Sequence, residues 1–254
     1  MLDPYRAYLI ALILNVIAGL VVWLIAENTV VALAVFTCFC VIAALALALF
    51  SYRAIGLRRA AKVRTALPEL RKCLDLAESS MDYLGCVPMV HIPESELLDK
   101  LVYKAQRGCS FRFLMLDPAS RFALQRRKDG GAYTPSQILH LLERLLEVRD
   151  QLGEKRQNLR VAIYDEYPVW CIGVVDDRFS FLSFYGSGKP GVEHPALLLQ
   201  KGPCSFHEAC RLHFEELWKR AREIQTASDL GRQVVPAVAE AEQGGTPNAA
   251  SPRR

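Results

Sequence analysis

Residues 169–185 read VWCIGVVDDRFSFLSFY. Val169–Val175 and Phe179–Tyr185 are apolar runs of strand length, rich in β-branched and aromatic residues, and Asp176-Asp177-Arg178 between them has turn composition. The stretch predicts a hairpin, and a hairpin pairs its arms antiparallel. Upstream, helices and strands alternate. In Cys109–Leu116, Phe111, Phe113 and Met115 alternate with Arg112, while Leu114 and Leu116 make the second face mostly apolar, as in a strand buried on both sides. Pro93–Arg107 sets Leu97, Leu98, Leu101 and Val102 at helical spacing before Gly108. Thr134-Pro135-Ser136-Gln137 opens another helix, with Thr134 as cap, Pro135 in the first turn and Gln137 completing a capping box. Ser80–Val90, Leu159–Tyr164 and Ala196–Gln200 supply further strands. Ser205-x-x-Glu208 is a second capping box, for a helix running to about Thr226, and the tail from Ala227 is expected to be disordered. Alternation with a late hairpin predicts an α/β sandwich with a mixed sheet over residues 80–226.

Two runs near the start have a different character. Ala7–Ala26 and Val30–Phe50 are each about 20 residues long and almost wholly apolar, the length that crosses a bilayer. Glu27-Asn28-Thr29 separates them, so residues 1–52 read as a transmembrane hairpin. The first run is longer than a signal-peptide core and only Arg6 precedes it as a basic residue, so it is read as an anchor. Arg53, Arg58, Arg59, Lys62, Arg64, Arg71 and Lys72 follow, against Glu69 alone. That asymmetry predicts a multi-pass protein of the cell membrane with both termini cytoplasmic. A basic juxtamembrane helix over 53–79 would set Arg53, Arg58, Arg59, Lys62 and Arg64 against anionic lipid headgroups of the bilayer. Asn15 can hydrogen-bond between spans and favours a homo-oligomer. The net charge of +4 argues against a nucleic-acid binder driven by general charge. Eight cysteines without a Cys-x-x-Cys read as reduced, mostly buried small hydrophobes.

From Met81 to Ala221 the chain resembles the phospholipase D-like fold, as found in single-copy domains of bacterial membrane or defence-associated proteins. The resemblance rests on Asp82-Tyr83-Leu84-Gly85, the helix ending Arg107-Gly108, the strand Phe111–Pro118, Tyr164-Asp165-Glu166-Tyr167-Pro168, the hairpin, and Phe214-x-x-x-Trp218-x-x-Ala221. Activity in that family needs a His-x-Lys-x-x-x-x-Asp strand, with the His as nucleophile on phosphorus and the Lys stabilising phosphoryl charge. Counting back from Asp176 puts Cys171 at the Lys position and Val169 at the His position; from Asp177 they are Ile172 and Trp170. None can replace the nucleophile. The resemblance therefore implies a pseudoenzyme with no catalytic residue of the family type, no cofactor and no metal, serving as a sensor or effector in bacterial defence or signalling.

The remaining candidates for chemistry are few. Asp176 and Asp177 are adjacent carboxylates, readable as an acid–base pair or as the polar tip of a hairpin. Gly186-Ser187-Gly188-Lys189 follows a strand, and its backbone amides, Ser187 and Lys189 suit an anion such as phosphate or a nucleotide. It is no P-loop, because the upstream Gly is missing and Pro190 follows Lys189. Arg112 and the basic run Arg121, Arg126, Arg127 and Lys128 can add charge where the fold brings them near. Cys204, His207, Cys210 and His213 recur every third residue; on a helix they drift over about 180° and cannot all meet one zinc ion. The expected function is a membrane-anchored, non-catalytic binding module with Ser187, Lys189, Asp176, Asp177 and Arg112 as its anion site. A membrane-bound phosphodiesterase-type enzyme and a dimerising scaffold are the alternatives.

Overall fold

The structure is a computed structural model of the chain, and it describes residues 12–13, 15–20, 29–62, 74–75, 77–86, 94–129, 134–185, 195–202 and 205–231. The chain forms two compact units, Met1–Arg53 and Ala54–Arg254.

In the first unit, helix α1 (Thr29–Ala54) has no polar face, and Val30, Leu33, Ile42, Leu45 and Leu47 are all exposed. Among the described residues, however, no helix is long and apolar enough to cross a membrane. Most of the first expected span lies outside the described residues. This overturns the transmembrane hairpin, the multi-pass membrane location with cytoplasmic termini, and the lipid bilayer with its anionic headgroups as a partner.

The basic helix expected from residue 53 is also corrected. Gly56, at φ +76°, breaks the helical path, and strand β1 (Leu57–Lys62) follows. Within it Arg58 Nε donates to Gln200 Oε1 at 2.7 Å, and its guanidinium lies 5.1 Å from the Phe179 ring centroid. Arg59 stands exposed on β1, and Lys62 pairs across the ladder with Pro195. The side chain of Arg53, and Arg64 altogether, lie outside the described residues.

The second unit is built on one eight-stranded sheet. After β1 come β2 (Ser80–Gly85), α2 (Glu94–Gln106), β3 (Ser110–Leu116), α3 (Arg121–Lys128), α4 (Pro135–Gln151), a 3-10 turn (Gly153–Asn158) and β4 (Leu159–Tyr164). Then come β5 (Trp170–Val175), β6 (Phe179–Phe184), β7 (Pro195–Gln200), α5 (Phe206–Arg220), β8 (Arg222–Ile224) and α6 (Ala227–Gly231). The strand order is β1-β7-β6-β5-β2-β3-β4-β8. β2, β3 and β4 run parallel and every other pairing is antiparallel, so the sheet is mixed.

The two parallel crossovers, β2 to β3 and β3 to β4, step the same way along the sheet. Right-handed connections then put α2 and α4 on one face, where they pack on each other and on β3 and β4. α5 packs against β5, β6, β7, β2 and β4. Arg112 contacts Phe214 and Trp218 of α5, so by the two-residue period Phe111, Phe113 and Met115 face α2 and α4. Phe111, Leu114, Met115 and Leu116 are all 0% exposed, as a central parallel strand covered on both faces requires. The Thr134 cap is fully formed: Thr134 Oγ1 accepts from Gln137 N–H at 3.2 Å and Gln137 Oε1 accepts from Thr134 N–H at 2.9 Å.

Asp176 ties the hairpin to the start of β2. Its carboxylate accepts from the N–H groups of Glu78, Ser79 and Ser80 at 2.8–2.9 Å and from Ser79 Oγ at 2.9 Å. Burial alone would raise its pKa, but the hydrogen bonds outweigh burial and hold it below the usual carboxylate range. Asp176→Asn keeps the shape and tolerates the backbone but loses the charge. It is expected to lower stability at pH 7 by about 1–2 kcal/mol. A folded pKa below the unfolded one means the contribution is complete above about pH 4 and lost as pH falls through the folded value. Urea midpoints of the two proteins should therefore converge at low pH; a constant gap would show that the charge is irrelevant.

Candidate functional site

The β5–β6 turn is a mirror-image turn. Asp176 and Asp177 both have φ 51°, and Arg178 N–H donates to Val175 C=O at 2.9 Å. Asp177 Oδ1 is 3.2 Å from His207 Nε2 and 3.9 Å from Arg211 Nε, and Lys201 Nζ pairs with Asp177 Oδ2. The Lys201 hydrogen bond chiefly, with His207 in support, holds the Asp177 carboxyl below its usual range. On the other side of the same imidazole, Nδ1 is 2.6 Å from Ser180 Oγ.

Ser180, His207 and Asp177 thus touch in the order of a catalytic triad. Ser180 is 1% exposed and His207 0%, so the hydroxyl has no face open to a substrate. The trio clamps the hairpin tip to the first turn of α5. Nothing in the residue order pointed to it, because the three come from a turn, a strand and a helix.

Of the anion-site residues expected from the sequence, Asp176, Asp177 and Arg112 are described. Asp176 and Asp177 sit where β2 begins. Ser187 and Lys189 lie outside the described residues. At the far end of β5 and β6, Tyr185 donates its N–H to Val169 C=O. Strands of this length separate those ends by roughly 20 Å. Arg112 lies between, on the α5 face, bound to Asp82 and Glu215. Within the basic run of α3, Arg126 is buried and stands 5.2 Å from the Tyr185 ring centroid.

At this far end the parallel strands finish and β5 begins, the place where open α/β sheets take ligands. On the face away from α5, Tyr83 Oη is 3.1 Å from Cys171 Sγ, and Cys86 N–H donates to Tyr185 Oη at 3.0 Å. Burial pushes the phenols of Tyr83, Tyr164 and Tyr185 well above their usual range and the Cys86 thiol up to about 12. It raises the Cys171 thiol as well. At neutral pH these groups are protonated, so the position matching the family lysine supplies no thiolate nucleophile.

On the α5 face the same end opens into a cavity of about 400 Å³. Trp170 and Ile172 of β5, Leu182 and Phe184 of β6, and Leu197 of β7 form its floor. Phe206, Ala209, Cys210 and His213 of α5 form its roof. The two-residue period of the strands and the three- to four-residue period of the helix bring these side chains onto one volume. The Trp170 and Phe184 rings, cross-strand partners, lie with centroids 4.1 Å apart at 43°. Phe184 and Phe206 are 39% and 52% exposed, so the cavity has an open, aromatic mouth.

Trp170 and His213 also line a smaller cavity of about 130 Å³ beside Glu166 and Tyr167. Beyond it, Tyr164, Glu166 and Leu217 border a polar cavity of about 230 Å³ with Asp117, Asp165, Arg220 and Arg222. There Arg220 pairs with Glu166 at 2.6 Å and Arg222 with Asp117 at 3.7 Å. Among the described residues no group of three or more His, Cys, Asp or Glu side chains is placed to hold a metal ion. Of the Cys204-to-His213 series, His207 is engaged with Ser180 and Asp177, Cys210 and His213 line the cavity, and Cys204 lies outside the described residues.

Comparisons with known proteins follow the same division between fold and activity. No curated protein matches the chain. Among solved structures it is similar to TrmBL2, an archaeal chromatin protein, at 14% identity and a TM-score of 0.42, over 65% of this chain and 53% of that one. It is similar to Nuc from Salmonella typhimurium, a phospholipase D family member, at 12% identity and a TM-score of 0.39, over 63% and 90% of the two chains. It is similar to phosphatidylserine synthase of Haemophilus influenzae Rd KW20, at 13% identity and a TM-score of 0.45, over 68% and 41%. The chain thus spans about half the length of the first of these.

Likenesses at this level carry no argument about activity. They reduce the phospholipase D-like membership expected for Met81–Ala221 to a weak, distant similarity of fold. The expected membrane-anchored sensor or effector in defence or signalling, with the bilayer and its headgroups as partners, is corrected by the absence, among the described residues, of a helix long and apolar enough to cross a membrane. The profile of the family described as "Domain of unknown function (DUF5919)" matches residues 97–225, from α2 through β8 and just over half of the chain. The chain belongs to the DUF5919 family.

Proposed function

We propose that the α/β unit binds a small apolar molecule in the cavity beneath α5. The observation that carries this reading is an open volume of about 400 Å³ whose named walls hold no charged residue. Small-molecule sites are concave, largely apolar and of this size. An exposed apolar surface costs free energy unless something covers it. The walls are held independently of any occupant, by the β5–β6–β7 ladder below and by the His207 clamp on α5 above.

The test uses the full chain and N-phenyl-1-naphthylamine, a neutral dye that brightens in apolar surroundings. Ala209 is exposed on the roof, so Ala209→Trp adds bulk over the cavity without disturbing the core. The wild-type chain should bind the dye saturably, and Ala209→Trp should weaken binding at least about tenfold with an unchanged circular dichroism spectrum. No saturable binding, or binding indifferent to Ala209→Trp, would overturn the reading.

A further inference from the structure

We infer that the ligand of this cavity is a neutral, flat aromatic molecule carrying one hydrogen-bonding group, which His213 meets at the rim. The inference rests on the reading of the cavity as a ligand site and narrows it to a chemical class.

Neutrality follows from the walls. Trp170, Ile172, Leu182, Leu197, Phe206 and Ala209 offer no counter-charge, and a charged group placed among them would lose its water without a partner. Cys210 does not change this, because burial pushes its thiol up to about 11 and keeps it uncharged.

Flatness follows from the aromatic side chains. Trp170 and Phe184 are locked as neighbours by the β5–β6 register and present tilted rings 4.1 Å apart, while Phe206 comes from the opposite wall. Ring faces and edges arranged this way favour another ring over a flexible alkyl chain, since aromatic pairs attract beyond the area they bury.

The single polar group follows from His213. It is the one lining side chain able to accept a strong hydrogen bond as well as donate one, Trp170 having only its indole N–H donor, and it is exposed on the same helix face as Phe206, Ala209 and Cys210. An imidazole can donate or accept, so a hydroxyl or a ring N–H satisfies it. A ligand with several polar groups would leave the rest unpaired against apolar walls.

The experiment is competition against N-phenyl-1-naphthylamine on the full chain, using 2-naphthol, 2-naphthoate, 1-decanol and naphthalene. The expected result is displacement by 2-naphthol at concentrations at least about tenfold below those of 2-naphthoate and 1-decanol. His213→Ala should weaken 2-naphthol about threefold or more and leave naphthalene unchanged, and His213→Gln should restore part of the loss. If 1-decanol or 2-naphthoate competes as well as 2-naphthol, the chemical class is wrong while the cavity reading stands. If His213→Ala affects both naphthalenes equally or neither, the assigned contact is wrong. If the dye itself shows no saturable binding sensitive to Ala209→Trp, the underlying reading has failed instead.

Discussion

Arg112→Met is expected to lower the melting temperature by about 6–12 °C, the equivalent of roughly 3 kcal/mol in a chain of this size. Arg112 sits on β3 between Asp82 of β2 and Arg160 of β4, its in-register neighbours. Its Nε and Nη2 donate to the two carboxylate oxygens of Asp82, both at 2.6 Å, and Nη2 also reaches Glu215 at 2.6 Å. The guanidinium lies 4.9 Å from the Phe214 ring centroid and 5.4 Å from that of Trp218. Arg160 approaches the same tryptophan at 5.1 Å and is held by Glu223. One side chain therefore joins two strands to α5, the roof of the cavity.

Burial already raises the Asp82 carboxyl, and Arg112 is what opposes that rise. Methionine fills the space but leaves Asp82 a partly buried charge without its partner, and removing one member of such a pair costs more than the pair is worth. The signature is a pH dependence. A carboxyl whose folded pKa exceeds its unfolded pKa loses stability as pH rises, so Arg112→Met should be relatively more stable near pH 5 than near pH 8. Adding Asp82→Asn should recover part of the loss. A change in melting temperature below about 2 °C would mean the network contributes no net stability.

Gly56→Ala is expected to destabilise by about 3 kcal/mol and to free the β1 edge first. Gly56 adopts φ +76°, where an alanine costs roughly 1–2 kcal/mol on backbone grounds alone. A Cβ built there would stand 2.2 Å from the carbonyl oxygen of Gln200 and 2.6 Å from Ser205 Cβ. The first contact is with backbone, which cannot swing aside. Gln200 N–H donates to Gly56 C=O at 2.7 Å, and Phe206 N–H donates to Ile55 C=O at 3.1 Å. Gly56 thus pins β1 to β7, and its neighbour Ile55 ties the chain before β1 to the start of α5. Hydrogen exchange should show lost protection along β1 and at Gln200 before the central strands are affected. Unchanged protection there would contradict the assignment of Gly56 as the anchor of that edge.

Where local chemistry and tertiary pairing agreed, the sequence was legible. The alternating strand at residues 110–116, the Thr134–Gln137 box and the hairpin of residues 169–185 are visible because each carries its own signal: period, cap or turn. β1 was not, because Leu57-Arg58-Arg59-Ala60-Ala61-Lys62 is good helix composition and becomes a strand only by pairing with β7. Gly56 was the one local hint. β8 has three residues, too few for a period, and the helix before it stops at Arg220 with Ala221 extended. The Ser205-x-x-Glu208 box did not form as a box. Ser205 Oγ accepts from Gly202 N–H instead, and Glu208 pairs with Arg211.

The candidate site was hardly legible at all. Each cavity residue reads as ordinary core on its own element, and an empty volume among them is a property of the packing. Asp176 and Asp177 stand out as adjacent acids, yet one anchors β2 and the other clamps α5. His207 and His213 look equivalent in sequence. Less than two turns of helix separate them, yet the first lies in a buried clamp and the second at an open rim.

A crystal structure of the full chain soaked with 2-naphthol decides whether the cavity beneath α5 is a ligand site. Ring density is expected between Trp170, Leu182 and Phe206, with the hydroxyl toward His213. A cavity filled by the protein's own chain, or naphthol bound elsewhere while this volume stays empty, would contradict that assignment.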